Sequence, residues 1–257
     1  MKLSIIICCY NEQASITNVI AGSQTVDLGS GWERELLVVD NYSTDGTREI
    51  LRQIDDPEVR IFYHERNLGK GSSIRTGIAN MSGDYMFIQD ADSEYDPGDQ
   101  ARFCQAATET GAVAIFGSRV LGGETKSQYR RTLMGNRILT RIANLLFGGQ
   151  LTDVATASKM VRRDVVQSLN LTSSGFDLDF ELPAKIMLAG HEILEIPISY
   201  EPRTYEEGKK IGYRDAVAAM LVMTRDRLGL SAVYKNEAAS AGAPKSPAPT
   251  PPVSSGQ

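Results

Sequence analysis

Between Gln89 and Tyr95 the chain reads Asp90-Ala91-Asp92-Ser93-Glu94, which sets carboxylates at alternate positions directly after an apolar run. Oxygen donors at that density suit a hard divalent cation, Mg2+ or Mn2+, which bridges diphosphate oxygens and neutralises their charge. A solvated acidic turn has the same composition, because Asp is frequent in loops. Position at the end of an apolar segment favours the metal reading over the turn.

Other polar groups fall at comparable places. Asp40 closes the run Leu36-Leu-Val-Val39; a carboxylate there either accepts the imino N–H of a uracil or guanine ring or caps its own turn. Asn67-Leu-Gly-Lys-Gly71 opens a helical pattern and offers backbone N–H groups, the helix dipole and Lys70 to a phosphate. The full Gly-x-x-x-x-Gly-Lys-Ser/Thr pattern of an ATPase is missing, and a tight turn explains these glycines equally well. Arg119, the pair Arg130-Arg131, Arg137 and Arg203 are candidates for a metal-free phosphate site, since guanidinium binds phosphate in a bidentate manner. Asp153, in Leu-Thr-Asp-Val, either orients a cation, moves a proton or caps a turn.

These residues need elements to position them. Residues 3–8, 35–39, 59–63, 85–89 and 113–117 read as strands, and 12–23, 43–54, 71–81 and 97–110 as the helices between them. Repeated β-α-β with short loops means a mostly parallel sheet with right-handed crossovers. Ligands of such sheets sit beyond the carboxyl ends of the strands, where Tyr10-Asn11-Glu12, Asp40, Asp90, Asp92 and Arg119 all fall. A less regular half follows, with helices over 131–146, 179–189 and 213–228 and strands over 158–161 and 193–200. The organisation expected is residues 1–118 as one half, 119–233 as a second half of the same domain, and 236–257, rich in Ala, Ser, Pro and Gly, as a disordered tail.

The bulk numbers exclude several classes. A net charge of −5 argues against a general nucleic-acid binder. Two histidines, His64 and His191, exclude a histidine-rich metal site. The three cysteines, Cys8, Cys9 and Cys104, have no ligand spacing and read as buried thiols of a reducing compartment, the cytoplasm. No segment reaches the roughly 18 apolar residues of a transmembrane helix. The expectation is a soluble protein, or one peripheral at the cytoplasmic membrane face.

The motifs Ile-Ile-Ile-Cys-Cys-Tyr-Asn-Glu12, Val-Val-Asp-Asn-Tyr-Ser-Thr-Asp-Gly-Thr47, Asn-Leu-Gly-Lys-Gly71, Gln-Asp-Ala-Asp-Ser-Glu-Tyr-Asp-Pro97, Gly-Ser-Arg119, Leu-Thr-Asp153 and Arg203-Thr-Tyr-Glu-Glu-Gly-Lys-Lys-Ile-Gly212 run in one order along residues 3–230. In that order they resemble family 2 glycosyltransferases of the GT-A fold, within them the dolichyl-phosphate mannose synthase-like branch. The resemblance implies a mostly parallel α/β sheet and an inverting transfer of a hexose from GDP-mannose, UDP-glucose or UDP-GlcNAc to a polyprenyl or dolichyl phosphate. It implies donor contacts from Tyr10, Asn11, Glu12 and Asp40, and from Asn67, Lys70, Gly71, Asp90, Ala91 and Lys209. Asp90, Asp92 and Glu94 become the metal ligands. Asp92, Asp153, Arg119, Arg131 and Arg203 form the catalytic set, with Arg130 the alternative to Arg131 at the acceptor phosphate.

A phosphate acceptor already carries charge and needs placement more than deprotonation, whereas a sugar hydroxyl wants a general base, for which Asp153 or Glu181 is the candidate. A soluble sugar or glycan acceptor is therefore the alternative enzyme reading, and a nucleotide-sugar-binding subunit without turnover is the reading from another class. Three departures from the family stand out. Cys8-Cys9 replaces the usual proline before Tyr-Asn-Glu, Ala155-Thr-Ala-Ser-Lys159 lacks the family's cysteine and aromatic, and the membrane spans frequent in the branch are missing. Contact with a lipid acceptor would then be peripheral, through the apolar stripes of 133–147 and 213–230, which core packing explains more simply.

Overall fold

Strand β1 (Lys2–Cys9) is almost wholly apolar because both of its faces are covered. It lies between β2 (Glu33–Asp40) and β4 (Tyr85–Asp90) and runs parallel to both, so that Cys9 stands opposite Asp40 and Cys8 opposite Asp90. This register brings the ends of three strands to one edge. β3 (Val59–Tyr63) extends the parallel sheet on the far side of β2. In the computed structural model, residues 1–121, 130–201 and 213–230 are described, with 130–133 and 213–216 by backbone only.

The complete order is β3-β2-β1-β4-β6-β5-β7. β6 (Lys159–Arg162) lies antiparallel between β4 and β5 (Ala114–Ser118), and β7 (Leu194–Pro197) runs parallel to β5 at the edge. Strands from both sequence halves thus share one sheet, mostly parallel as expected. Alternation along β1 splits the core. Leu3, Ile5, Ile7 and Cys9 face α1 (Ile16–Thr25) and α4 (Asp99–Thr110), while Ile6 faces α3 (Lys70–Asn80), α6 (Arg163–Ser168) and α7 (Leu178–Leu188). Each such fully buried aliphatic side chain contributes about 2 kcal/mol of transfer free energy. A third cluster joins α5 (Arg130–Phe147), α7 and α8 (Tyr213–Arg227) through Ala143, Phe180, Ala219, Val222 and Met223.

Several boundaries differ from the sequence expectation. The helix expected from residue 12 begins at Ile16, because Asn11 takes a left-handed φ of 55° and the Glu12 carbonyl accepts the Ser15 and Ile16 N–H groups in a separate turn. The helix expected over 43–54 shrinks to α2 (Thr47–Leu51), since Ser43 and Thr44 are engaged by the β1 loop. Pro97 and Gly98 form a turn ahead of α4 rather than its first residues. α6 was not foreseen, being one and a half turns long with only Val165 and Val166 buried. The strand expected to reach residue 200 ends at Pro197, leaving Tyr200 in an isolated bridge to Tyr95. The tail 236–257, Arg203, Lys209 and the side chains of Arg130 and Arg131 lie outside the described residues.

Candidate active site at the carboxyl edge of the sheet

Three of the four non-glycine residues with positive φ, Asn11, Tyr42 and Ser93, lie two or three positions past the ends of β1, β2 and β4. Left-handed backbone at such residues carries roughly 1–2 kcal/mol of strain, which persists only where surrounding bonds hold it. Here the β1 and β2 loops hold each other. Asn11 N–H donates to Ser43 Oγ at 2.9 Å, Thr44 N–H to Asn11 Oδ1 at 2.8 Å, and Glu12 N–H to Thr47 Oγ1 at 3.0 Å. Asp40, fully buried, accepts Arg48 Nε at 2.5 Å and the Ser43 N–H at 3.2 Å. Its carboxylate shapes the turn in this structure, the cap that the sequence left open as an alternative. Asn67 accepts Asn41 Nδ2 at 2.9 Å and so ties the third loop to the second.

The glycines of the third motif make room for a neighbouring loop. A Cβ at Gly69 would stand 2.3 Å from the Ser174 carbonyl oxygen, and one at Gly71 would stand 2.8 Å from the carbonyl oxygens of Ser173 and Gly175. Ser72 N–H also donates to Ser174 O at 3.0 Å. The missing side chains let the 173–175 backbone approach the start of α3, and that approach delivers α7 and its Asp179 to the sheet edge.

There a row of alternating charges forms. Lys70 Nζ lies 2.8 Å from Asp90 Oδ1 and 3.4 Å from Asp179 Oδ2, and the wholly buried Lys159 Nζ donates to Asp179 O at 2.7 Å and Oδ1 at 3.2 Å. Burial alone would discharge Lys70, but Asp179 and Asp90 more than offset it and hold its pKa well above the usual lysine value. Burial likewise opposes the Asp179 carboxylate, and Lys159 and Lys70 outweigh it, so its pKa is lowered. Sequence reading missed both Lys159 and Asp179. The available signal was a charge at the head of the apolar Met160-Val161 strand, which is tolerated inside only when paired.

The acidic loop is anchored on its other flank. Tyr95 and Tyr200 pair as a bridge with rings 5.1 Å apart, Glu201 N–H donates to Glu94 O at 2.9 Å, and Tyr200 Oη donates to Glu94 Oε2 at 2.9 Å. Arg119 forms a fork on Asp153, Nε to Oδ2 at 2.7 Å and Nη2 to Oδ1 at 2.8 Å, while its Nη1 reaches Tyr95 Oη at 3.2 Å. Asn136 Nδ2 donates to Asp153 Oδ1 at 2.7 Å. Burial would raise the Asp153 carboxyl; Arg119 reverses this and leaves its pKa lowered. Asp153 is thus held in an ion pair with Arg119. It is wholly buried, and so is Glu181, whose carboxylate accepts the Thr172 and Ser173 N–H groups and pairs with Lys185 and Arg225. Ala91 packs its methyl group into the core, so only its backbone faces the loop.

Divalent-cation chemistry fits the donor set without a finished cage. Among the described residues no three Asp, Glu, His or Cys side chains gather at ligand spacing. Asp90, Asp92 and Glu94 are half-buried oxygen donors on one loop, with Asp92 Oδ1 accepting the Glu94 N–H at 3.2 Å. Mg2+ characteristically takes one or two carboxylates and completes its shell with substrate phosphate and water.

A parallel sheet with β6 inserted antiparallel and polar loops gathered at its carboxyl edge defines the α/β GT-A fold. The sequence profile of glycosyl transferase family 2 matches residues 4–169, and the chain belongs to that family. A curated relative, glycosyltransferase AglJ of Haloferax volcanii, is 26% identical over 195 residues, covering 76% of this chain; the chain spans 61% of that relative's length. The glucosyl-3-phosphoglycerate synthase of M. tuberculosis superposes with a TM-score of 0.63 at 19% identity, over 89% of this chain and 81% of the other. TarS 1-349 of S. aureus, solved in complex with UDP-GlcNAc, gives 0.57 at 17% identity over 87% and 65%. The synthase was also solved in complex with Mn2+, UDP and its product, at a TM-score of 0.61.

Proposed function

We propose that this chain transfers a hexose, with inversion, from a nucleotide diphosphate sugar to a polyprenyl-type lipid phosphate. The observation that carries the acceptor class is the locking of Asp153 and Glu181. With both inside ion pairs, an acceptor that brings its own anionic nucleophile fits better than a hydroxyl needing a base. Family membership supports the donor class, as do the complexes with UDP and UDP-GlcNAc described for proteins of the same fold.

In this reading Tyr10, Asn11 and Glu12 line the nucleoside side, with Asp40 acting through the turn it holds. Lys70, kept charged by Asp179 and Asp90, adds a fixed positive end beside the donor diphosphate. Arg119, aligned by Asp153 and Tyr95, faces the acceptor phosphate with one of Arg130 or Arg131, while Arg203 and Lys209 close over the donor. The dolichyl-phosphate mannose synthase-like branch and a cytoplasmic location belong to this proposal.

The test is thermal-shift titration of UDP, GDP and their sugars with and without Mn2+, since ligand binding raises the midpoint by mass action. A metal-dependent rise for one nucleotide is expected, and Asp92→Asn should abolish it while leaving the unliganded midpoint unchanged. Absence of any shift with any nucleotide and metal would sink the donor assignment. Radiolabelled sugar found only in the aqueous phase after extraction would move the acceptor to a soluble glycan.

A further inference from the structure

Helices α5 and α8 pack with α7 through Ala143, Phe180, Ala219, Val222 and Met223, yet each carries a line of mostly apolar side chains on the side away from that cluster. On α5 the exposed line is Met134, Ile138, Arg141 and Leu145; on α8 it is Val217, Leu221 and Thr224, continued by Leu228 just past the helix end. Both follow the spacing i, i+4, i+7, i+11, which keeps one face of a helix in line for about 17 Å. Leu145 is 86% exposed and Leu221 66%, so these side chains take no part in the core. The apolar periodicity of both helices, for which packing was the simpler reading, thus serves two faces.

Charge selects the occupant. α5 contains four arginines and no acidic residue, in a protein of net charge −5. Arg141 lies within the α5 stripe and Arg137 is exposed beside it, and Arg227 is exposed on α8, whose Asp226 is buried. A two-fold contact with a second copy sets a patch against itself, so the arginines would meet arginines. An anionic bilayer answers both properties, apolar stripe and cationic shoulder.

We propose that the exposed faces of α5 and α8 dock the protein on an anionic lipid membrane surface. The inference deepens the lipid-phosphate reading above, on which the choice of a bilayer rests, and gives that acceptor a surface from which to be taken without a spanning helix. No helix among the described residues is long and apolar enough to cross a membrane.

Sedimentation of the full chain with vesicles tests it, with no sugar nucleotide present. The protein should pellet with vesicles containing phosphatidylglycerol and bind pure phosphatidylcholine at least tenfold more weakly, with added salt weakening the first. Ile138→Ser with Leu145→Ser should lower affinity for the anionic vesicles by about tenfold or more, since both side chains are exposed and their loss leaves the melting midpoint unchanged. Arg141→Gln with Arg227→Gln should lower it about 30-fold, from roughly 1 kcal/mol per basic side chain near the surface. Failure to pellet with phosphatidylglycerol vesicles overturns the proposal. So does binding indifferent to both double variants, or a concentration-dependent dimer that Ile138→Ser with Leu145→Ser dissolves. The acceptor reading fails separately, if wild-type protein binds the vesicles but labels only water-soluble products.

Discussion

Asp153→Asn separates a clamp from a catalytic base. The substitution keeps shape and one acceptor oxygen but removes the charge that faces Arg119 Nε and Nη2 at 2.7 and 2.8 Å. Asp153 is wholly buried and Arg119 is 14% exposed. Breaking a buried pair generally costs about 3–5 kcal/mol, because the remaining ion is left without compensation. The slight exposure of Arg119 and the retained oxygen bring the expected loss to about 2–3 kcal/mol. With a urea slope of about 3 kcal/mol/M, the unfolding midpoint falls by nearly 1 M. The pH dependence follows from the lowered pKa of Asp153. A carboxyl whose folded pKa is depressed contributes stability that is fully present above its unfolded value, about 3.9, and is lost as pH falls through the folded value. The gap between wild type and Asp153→Asn should therefore be constant from pH 7 to 5 and close below about pH 4. Urea titrations at pH 7, 5 and 3.5, followed by circular dichroism, make the measurement. A gap under about 1 kcal/mol at pH 7, or one that does not narrow in acid, would refute the ion-pair reasoning.

Two further outcomes rest on the same edge of the sheet. Lys159→Met removes a wholly buried ammonium but leaves Asp179 within 3.4 Å of Lys70, so the loss should stay near 2 kcal/mol, below that of an orphaned charge. Nucleotide affinity should fall as well, because Lys70 turns from Asp90 toward the unshared Asp179; calorimetric titration with UDP and GDP reads this, and unchanged affinity would show the charge row to be purely structural. Gly71→Ala places a methyl 2.8 Å from two backbone oxygens of the 173–175 loop and should cost about 1–3 kcal/mol despite alanine's better helix propensity. If its urea midpoint instead rises, the loop yields freely and the close approach positions nothing.

Legibility in the sequence differed with the kind of interaction. The central strands were readable because a strand covered on both faces must be nearly all apolar, and Leu3 to Cys9 is apolar apart from Ser4. The ends of those strands followed, and with them the gathering of Tyr10, Asp40 and Asp90 at one edge. Boundaries set by side-chain capture were not readable. Whether Ser43 caps its own helix or receives Asn11 N–H depends on a loop 32 residues away. The antiparallel insertion of β6 was equally hidden, since a four-residue strand carries no direction in its composition.

The motif glycines show the same division. Their presence in Asn67-Leu-Gly-Lys-Gly71 announces a close approach, but a phosphate and a backbone make the same demand on a missing Cβ. Only the fold reveals that Ser173 to Gly175 occupy that space.

By itself the amino-acid sequence determined the α/β class, the carboxylate loop after β4 and the order of the family's motifs, because local periodicity and covalent spacing carry that information along the chain. Tertiary structure alone decided which charges neutralise which. Lys70, Asp90, Lys159 and Asp179 span 109 positions of sequence, and Arg119 and Asp153 lie 34 apart. Coulombic pairing depends on distance through space and on burial, and neither is written in any one segment.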